Sequence, residues 1–227
     1  MKKKFRLGPT DVLLVIDMQN GFCAGGALAV LGADEIVPLV NEIAKRFEHV
    51  VLTQDWHLER HRSFASAHKG CRPFETVELP YGPQVLWPDH CIRGSQSAAF
   101  HPALDIPHAE LIVRKGYHPE IDSYSAFFEN DRTTRTGLGG YLRERGFVRV
   151  FLVGLALDFC VRYSAEDARK LGFDAVILED ACRAIDMDGS LDAARKSFAA
   201  LGIACVASGS IGAPAARRQS SPTSPGI

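Results

Sequence analysis

The sequence predicts an α/β fold: a doubly wound, mainly parallel sheet of six strands with helices on both faces, in a Rossmann-like three-layer arrangement. Two observations support this fold class. Six short runs rich in β-branched and aliphatic residues recur along the 227 residues, and segments with helical periodicity lie between them. Strands that alternate with helices form βαβ units, and such units build a parallel sheet that is covered on both sides.

The six predicted strands are mostly apolar. They span 12–18, 50–54, 111–114, 148–154, 175–179 and, more weakly, 204–207. The start of the first run, VLLVI, shows no alternation of apolar and polar residues. A strand that is apolar throughout is typical of a sheet buried on both faces.

The predicted helices each have an apolar face. In 33–47, Ile36, Val40, Ile43 and Phe47 follow the i, i+4, i+7, i+11 spacing that places side chains on one side of a helix. Similar patterns predict further helices at 139–145, 160–171 and 190–201.

The composition argues against several classes of protein. The chain has 26 Lys and Arg against 27 Asp and Glu, a net charge of −1, which makes a broad nucleic-acid interface improbable. Its apolar runs are far shorter than a membrane-spanning helix requires. No apolar signal sequence follows the basic N-terminus, and the six cysteines include no CxxC pair. We therefore expect a cytoplasmic protein with reduced thiols that binds no membrane.

Two segments depart from the alternation of strands and helices. The segment 57–109 contains neither a clear strand nor a long amphipathic helix, and it is rich in His, Pro and Gly. Irregular connections longer than about 12–15 residues are usually functional or disordered, and aromatic residues argue against disorder here. The segment 213–227 is rich in Arg, Ser and Pro and is predicted to be a flexible tail. The remainder, 1–212, is predicted to be a single domain.

Three reactive side chains follow predicted strands. Asp17 lies at the end of the first strand and Lys115 directly after the third, while Cys160 follows the fourth strand and begins the next predicted helix. The carboxyl ends of parallel strands meet at one edge of the sheet, where open α/β folds bind ligands. A helix N-terminus and a nearby lysine both lower the pKa of a thiol, so these residues suit nucleophilic catalysis with Asp17 as proton acceptor.

Each of these three residues also has a purely structural interpretation. Cys160 could be a small buried hydrophobe, Lys115 could mark the point where a strand reaches solvent, and Asp17 could cap the following turn. Position at the ligand-binding edge of the sheet favours the functional interpretation for all three.

A candidate metal site comes from Asp55, His57 and His90. The Asp-x-His spacing places two ligands on the same side of an extended segment. Mixed oxygen and nitrogen ligands suit Zn²⁺, Mn²⁺ or Fe²⁺ without choosing among them. Five further histidines have no such pairing and are predicted to lie at the surface: His61, His68, His101, His108 and His118.

Seven stretches in order along about 10–208 resemble the nicotinamidase (pyrazinamidase) family of the isochorismatase-like cysteine hydrolase superfamily. They are LLVIDMQNGF (13–22), TQDWH (53–57), HRSFA (61–65), LWPDHC (86–91), RKG (114–116), DSYSAF (122–127) and GLALDFCV (154–161). Their joint occurrence is far more specific than any single stretch. The resemblance implies an isochorismatase-like fold and an amidohydrolase that acts on linear amides.

The resemblance also implies roles for individual residues. It gives a catalytic triad of Asp17, Lys115 and Cys160, and one divalent metal ion, in the first place Zn²⁺, held by Asp55, His57 and His90 and by water. Ser63 would reach this ion only through water. The backbone N–H groups of Ala156 and Cys160 would form an oxyanion hole next to a cis peptide bond between Leu155 and Ala156. Three aromatic side chains, which elsewhere would be ordinary core residues, would surround the substrate ring: Phe22, Trp87 and Tyr124.

The implied reaction is hydrolysis of nicotinamide to nicotinic acid and ammonia through a thioester on cysteine, a step of NAD salvage, with pyrazinamide as a further substrate. The residue before the nucleophile is Phe159, where some relatives have His or Tyr, so the preference for a particular ring stays open. A homo-oligomer and the identity of the ion stay open as well. Two alternatives remain: a related amidase acting on a carbamoyl or ureido substrate, and a noncatalytic α/β ligand-binding protein.

Overall fold

The computed structural model describes residues 4–212, so the predicted tail at 213–227 lies outside the described residues. The strands are β1 (Asp11–Ile16), β2 (Val50–Asp55), β3 (Thr76–Leu79), β4 (Gly82–Val85), β5 (Leu111–Lys115), β6 (Arg149–Leu155), β7 (Asp174–Arg183) and β8 (Ala204–Val206). The α-helices are α1 (Val37–Ala44), α2 (Leu138–Glu144), α3 (Arg162–Lys170) and α4 (Ser190–Ala200). A π-helical turn, Leu157–Val161, joins β6 to α3.

Six strands form one sheet in the order β5-β2-β1-β6-β7-β8, and every neighbouring pair is parallel. The predicted six-stranded α/β fold is thus confirmed. The chain order of the strands reverses at β1, which lies between β2 and β6. In doubly wound folds, a crevice opens at such a reversal, beyond the carboxyl ends of the strands.

The two faces of the sheet pack against different helices. Alternate residues of β1 enter different cores: Leu13 and Val15 pack with α1, whereas Val12, Leu14 and Ile16 pack with α2, α3 and α4. This alternation follows from the period of two in a strand. The uniformly apolar sequence of β1 is therefore explained by burial on both faces.

The segment 57–109 is mostly irregular, but it contains a hairpin that we did not predict. Strands β3 and β4 pair antiparallel, with Thr76 opposite Val85 and Leu79 opposite Gly82. Each strand has only four residues, half of them or more are exposed or partly exposed, and Pro83 interrupts the pattern. Short, largely solvated strands carry little of the alternation by which strands are predicted.

Close backbone contact brings the ends of β1 and β6 together. Gly154 has φ +111°, and a Cβ at this position would lie 2.1 Å from the carbonyl oxygen of Ile16. A side chain at 154 would therefore separate the two strands one residue before Asp17.

No helix among residues 4–212 is long and apolar enough to cross a membrane.

Candidate active site

The three residues predicted as a catalytic triad lie together at the carboxyl edge of the sheet. The Nζ atom of Lys115 is 2.9 Å from Oδ2 of Asp17 and 3.4 Å from Sγ of Cys160. Asp17 and Lys115 are fully buried and Cys160 is 7% exposed. The strand ends position the first two residues, and the turn after β6 positions the sulfur.

Lys115 is held by more than its two triad partners. Its ammonium donates hydrogen bonds to Oδ1 of Asp55 and, over 2.9 Å, to the carbonyl oxygen of Ser123. Burial opposes a charged lysine, but the carboxylates of Asp17 and Asp55 outweigh it and hold the pKa of Lys115 well above its usual value. Lys115 therefore stays a cation that fixes two carboxylates and faces the sulfur.

The pKa of the Cys160 thiol differs from the prediction. Burial raises the pKa of the Cys160 thiol well above its usual value, and Lys115 opposes this only in part. The expected net lowering of this pKa is therefore wrong. Desolvation of a thiolate outweighs the attraction of Lys115, so the sulfur carries its proton until a base removes it.

Asp17 is placed to be that base. Its Oδ1 accepts a 2.5 Å hydrogen bond from the hydroxyl of Thr53, while Oδ2 has no hydrogen-bond partner of good geometry within residues 4–212. A carboxylate oxygen of Asp17 lies within 4.8 Å of Sγ of Cys160. Burial raises the pKa of Asp17, and Lys115 lowers it by less. A more basic carboxylate is a better acceptor for a thiol proton.

The turn before Cys160 has the backbone geometry implied by the resemblance. The peptide bond between Leu155 and Ala156 is cis. Ala156 and Cys160, whose N–H groups are predicted to form the oxyanion hole, both line the same pocket. Their role as an oxyanion hole stays a prediction.

Asp55, His57 and His90 form a compact group next to the triad. The Nε2 atoms of His57 and His90 lie 3.5 Å and 3.6 Å from Oδ2 of Asp55, and all three residues are buried. The Nδ1 atoms face carbonyl oxygens, that of Gly116 at 2.9 Å from His57 and that of Pro88 at 2.8 Å from His90. Each Nδ1 therefore carries the proton and leaves Nε2 free as a ligand.

The donor set fits a divalent metal. Two neutral imidazoles and a carboxylate are ligands of catalytic zinc sites, with further positions for water or substrate. Burial opposes the charge of Asp55, but Lys115 and His57 hold the pKa of this carboxyl well below its usual value, so it is ionised. Gly116 keeps the site open: a Cβ there would lie 2.5 Å from the His57 ring.

The predicted surface position of His61 is wrong. His61 is fully buried and packs against His57, with 4.6 Å between ring centroids. Its two nitrogens face the hydroxyl of Ser63 at 2.8 Å and the carbonyl oxygen of His118 at 2.7 Å. His61 therefore supports the His57 ring, and Ser63 is hydrogen-bonded to His61. A contact of Ser63 with the metal through water stays a prediction. The only signal in the sequence that could have predicted burial of His61 was its spacing to Ser63 and Phe64 in the HRSFA stretch.

Asp122 is a residue of this region that we did not single out. Its Oδ1 is 4.0 Å from Nε2 of His57, and it is 2% exposed. It begins the DSYSAF stretch that supplied Tyr124, so its place in that motif could have identified it. Asp122 adds a second carboxylate to the side of the pocket that faces the histidines.

A narrow pocket, lined mainly by apolar and aromatic side chains, opens beside Cys160. Phe22, Trp87 and Tyr124 line it, as the resemblance implied. Three apolar side chains not predicted as pocket residues line it as well: Leu28, Phe159 and Ile185. Phe159 directly precedes Cys160 and could have been included, whereas Leu28 and Ile185 are isolated apolar residues in loops and give no signal.

A second group of possible metal ligands is of a different kind. Cys23, Asp34 and His101 bring ligand atoms within 4.8 Å of one another, but Asp34 and His101 are partly exposed. His101 faces Asp34 through Nε2 at 3.3 Å and accepts a hydrogen bond from the N–H of Ala103 at Nδ1. Both ring nitrogens are thus used within the protein, and this group is a hydrogen-bonded cluster.

Comparison with known proteins agrees with this geometry. The chain is 56% identical over 199 residues to a nicotinamidase of Acinetobacter baylyi, covering 88% of this chain and 93% of that protein. A solved nicotinamidase/pyrazinamidase of Acinetobacter baumanii superposes with a TM-score of 0.89 at 54% identity, over 90% of this chain and 99% of the other. A pyrazinamidase of Pyrococcus horikoshii, solved in complex with zinc, gives a TM-score of 0.72 at 34% identity, over 88% and 99%.

The family model for the isochorismatase domain matches residues 11–208, from the first residue of β1 to the end of the sheet. This range contains both the buried triad and the Asp-His-His group. The chain therefore belongs to the isochorismatase family.

Proposed function

We propose that this chain is an amidohydrolase that converts nicotinamide into nicotinic acid and ammonia, with Cys160 as nucleophile. One observation carries the proposal: a buried thiol, ammonium and carboxylate converge beside an aromatic pocket that also contains a divalent-metal ligand set. The similarity to nicotinamidases over most of the chain supports nicotinamide as the small-molecule substrate.

The first half of the proposed reaction forms a thioester. The sulfur of Cys160 attacks the carboxamide carbon while Asp17 accepts the thiol proton. Lys115, already a cation, stabilises the developing thiolate at 3.4 Å. The oxyanion that forms on the substrate lies beside the N–H groups of Ala156 and Cys160; one such donor is typically worth about 10²–10³ in rate. When the C–N bond breaks, Asp17 returns the proton and ammonia leaves.

The second half releases the acid. Water adds to the thioester carbonyl, Asp17 accepts a proton from that water, and the C–S bond breaks to give nicotinic acid. The sulfur recovers its proton, so the enzyme returns to its starting state with one water consumed and one ammonia formed. The pocket wall of Phe22, Trp87 and Tyr124 holds the ring during both halves.

The chain binds a divalent metal ion, which we propose to be Zn²⁺ at Asp55, His57 and His90. A zinc-bound pyrazinamidase among the similar structures supports this choice. When bound, such an ion supplies positive charge that orients a ring nitrogen or polarises water. The chain's contribution is to hold the ligands in one tautomer and to leave the sulfur, only 7% exposed, at the base of the pocket.

Ammonia release by the purified, metal-loaded protein tests the proposal directly. Nicotinamide and pyrazinamide are expected to release ammonia, and a carbamoyl substrate is not. Cys160→Ala is expected to lower kcat by about 10⁴-fold or more, because the nucleophile is lost. Cys205→Ala, which removes a cysteine of the edge strand β8 that does not line the pocket, is the control.

Mass spectrometry adds an independent measurement. A nicotinaldehyde-like electrophile is expected to add to the protein through Cys160 and to leave Cys160→Ala unmodified. Ligand binding without ammonia release from any amide would favour the noncatalytic alternative. Ammonia from the carbamoyl substrate alone would favour the related amidase.

A further inference from the structure

Gln84 is an unusual residue in the hairpin formed by β3 and β4. Of the eight residues in these two strands, only Leu79 and Gln84 are buried, and Gln84 is 1% exposed. A buried amide requires hydrogen-bond partners, because an unsatisfied donor or acceptor in the interior loses its bonds to water without replacement. Its partners therefore indicate what the hairpin is attached to.

The amide of Gln84 joins the hairpin to the 122–130 segment. Its Nε2 donates to Oδ2 of Asp122 over 2.8 Å and to the hydroxyl of Tyr124 over 3.0 Å. Its Oε1 accepts from the hydroxyl of Tyr81 at 3.1 Å and from the amide of Asn130 at 3.2 Å. The orientation of the amide is determined by this network, since a carboxylate must face Nε2 and an NH₂ group must face Oε1.

Two of these partners line the ligand pocket. Asp122 and Tyr124 form part of its wall, and the Tyr124 hydroxyl also accepts a 3.1 Å hydrogen bond from the indole N–H of Trp87. Gln84 itself is not among the pocket-lining residues. It thus holds the pocket wall from behind, and connected buried networks of this kind fix side chains in a single arrangement.

We propose that Gln84 is a positioning residue for the substrate ring: it fixes Tyr124 and Asp122 in the pocket wall and so determines affinity for the aromatic amide. This inference rests on the proposed function. The atoms that react lie elsewhere, on the ends of β1 and β5 and in the turn after β6, to which Gln84 makes no hydrogen bond within residues 4–212. Its effect therefore falls on substrate binding, while the chemical steps at Cys160 continue.

The first test replaces Gln84 with an apolar side chain of similar length. Gln84→Met is expected to raise KM for nicotinamide by about tenfold and to change kcat by less than about threefold, the pattern of lost uniform binding. Metal content, measured by elemental analysis, is expected to stay equal to that of the unmodified protein. Gln54→Met is the matched control, since Gln54 is a buried glutamine bonded to Ala98 and Arg114 outside the pocket.

Tyr124→Phe removes only the hydroxyl that Gln84 contacts and is a second, milder variant. It is also expected to raise KM, and the double variant with Gln84→Met is expected to raise KM by less than the product of the two single effects, because the residues act through one contact. Independent effects of the two changes would contradict the proposal. A fall in kcat at constant KM, an unchanged KM, or loss of metal from Gln84→Met would overturn it.

A measurement without turnover separates this inference from the proposed function. The chain has two tryptophans, so a ¹H–¹⁵N spectrum contains two indole signals. Gln84→Met is expected to shift the signal of Trp87, which shares the Tyr124 hydroxyl, and to leave that of Trp56 in place. An unmoved Trp87 signal would overturn the positioning role. If the signal moves but the unmodified protein releases no ammonia from nicotinamide, only the proposed reaction fails.

Discussion

The two sides of the pocket are built in different ways. On the reactive side, Asp17 and Lys115 lie at the ends of strands of the central sheet, whose backbone hydrogen bonds fix them, and Cys160 lies in the helical turn after β6. The ring-binding side, with Trp87 and Tyr124, lies in irregular segments and is held by side-chain hydrogen bonds. This difference suggests that changes on the reactive side alter rate, whereas changes on the ring side alter affinity.

The largest expected effect is on the reactive side. Asp17→Asn is expected to lower kcat by about 10³–10⁴-fold with little change in KM, since an amide cannot accept the thiol proton and general acid–base catalysis is worth about 10²–10⁴. Steady-state ammonia release measures both constants. Asp11→Asn is the control, because Asp11 is a buried aspartate at the opposite end of β1, paired with Arg149. A kcat of Asp17→Asn within tenfold of that of the unmodified protein would show that another group accepts the thiol proton.

The metal ligands connect the two sides, and the next prediction concerns them. His90→Ala is expected to lower bound metal from about one ion per chain to near zero and kcat/KM by about 10²-fold or more, since losing a residue that only orients a metal ligand already costs about 10–100-fold. Elemental analysis of the purified variant measures the metal. His101→Ala, from the Cys23–Asp34–His101 cluster, is expected to keep its metal, since both nitrogens of His101 already have partners in the protein. Loss of metal from His101→Ala but not from His90→Ala would place the metal site at the Cys23–Asp34–His101 cluster.

The ring side predicts a smaller effect that is confined to binding. Phe22→Ala is expected to raise KM for nicotinamide by about tenfold and to leave kcat within about threefold, because an aromatic wall is lost while the triad is kept. Phe47→Ala is a matched control: both phenylalanines are 4% exposed, but Phe47 packs against Phe151 away from the pocket. The control is expected to lose stability and keep its KM. Equal changes in KM would mean that general destabilisation, and not the pocket wall, is responsible.

The same contrast explains what could be predicted from sequence. Apolar runs located the strands, and the sheet then placed Asp17, Lys115 and Asp55 at one edge, which followed from topology alone. Burial of Gln84 and His61 depends on loops that fold over them, and a polar residue in an irregular segment has no periodic signal. The hairpin was missed for the same reason. Local sequence patterns predict the sheet well and the loops poorly, because the conformation of the loops depends on side-chain networks between distant segments.

Glu129 provides the last comparison, between a poorly paired buried carboxylate and a well paired one. Glu129 is 1% exposed, and neither carboxylate oxygen has a hydrogen bond of good geometry within the described part of the chain; the nearby Ser123 side chain and Lys115 offset its burial only in part. Burial raises the pKa of Glu129 from 4.5 to about 7. Glu166, by contrast, accepts from Arg162 at 2.7 Å and from the Ser197 hydroxyl at 2.6 Å.

Substitution of these two glutamates is expected to have opposite effects on stability. Between pH 4.5 and 7, folded Glu129 keeps a proton that the unfolded chain has lost, so its contribution to the free energy of unfolding falls as pH rises. Glu129→Gln is therefore expected to match the unmodified protein near pH 4 and to exceed its free energy of unfolding by up to about 3 kcal/mol at pH 8, without change in kcat. Glu166→Gln loses an ion pair and is expected to be less stable at pH 8. Urea unfolding at the two pH values measures both; a pH-independent difference for Glu129→Gln would show that its carboxylate has a partner after all.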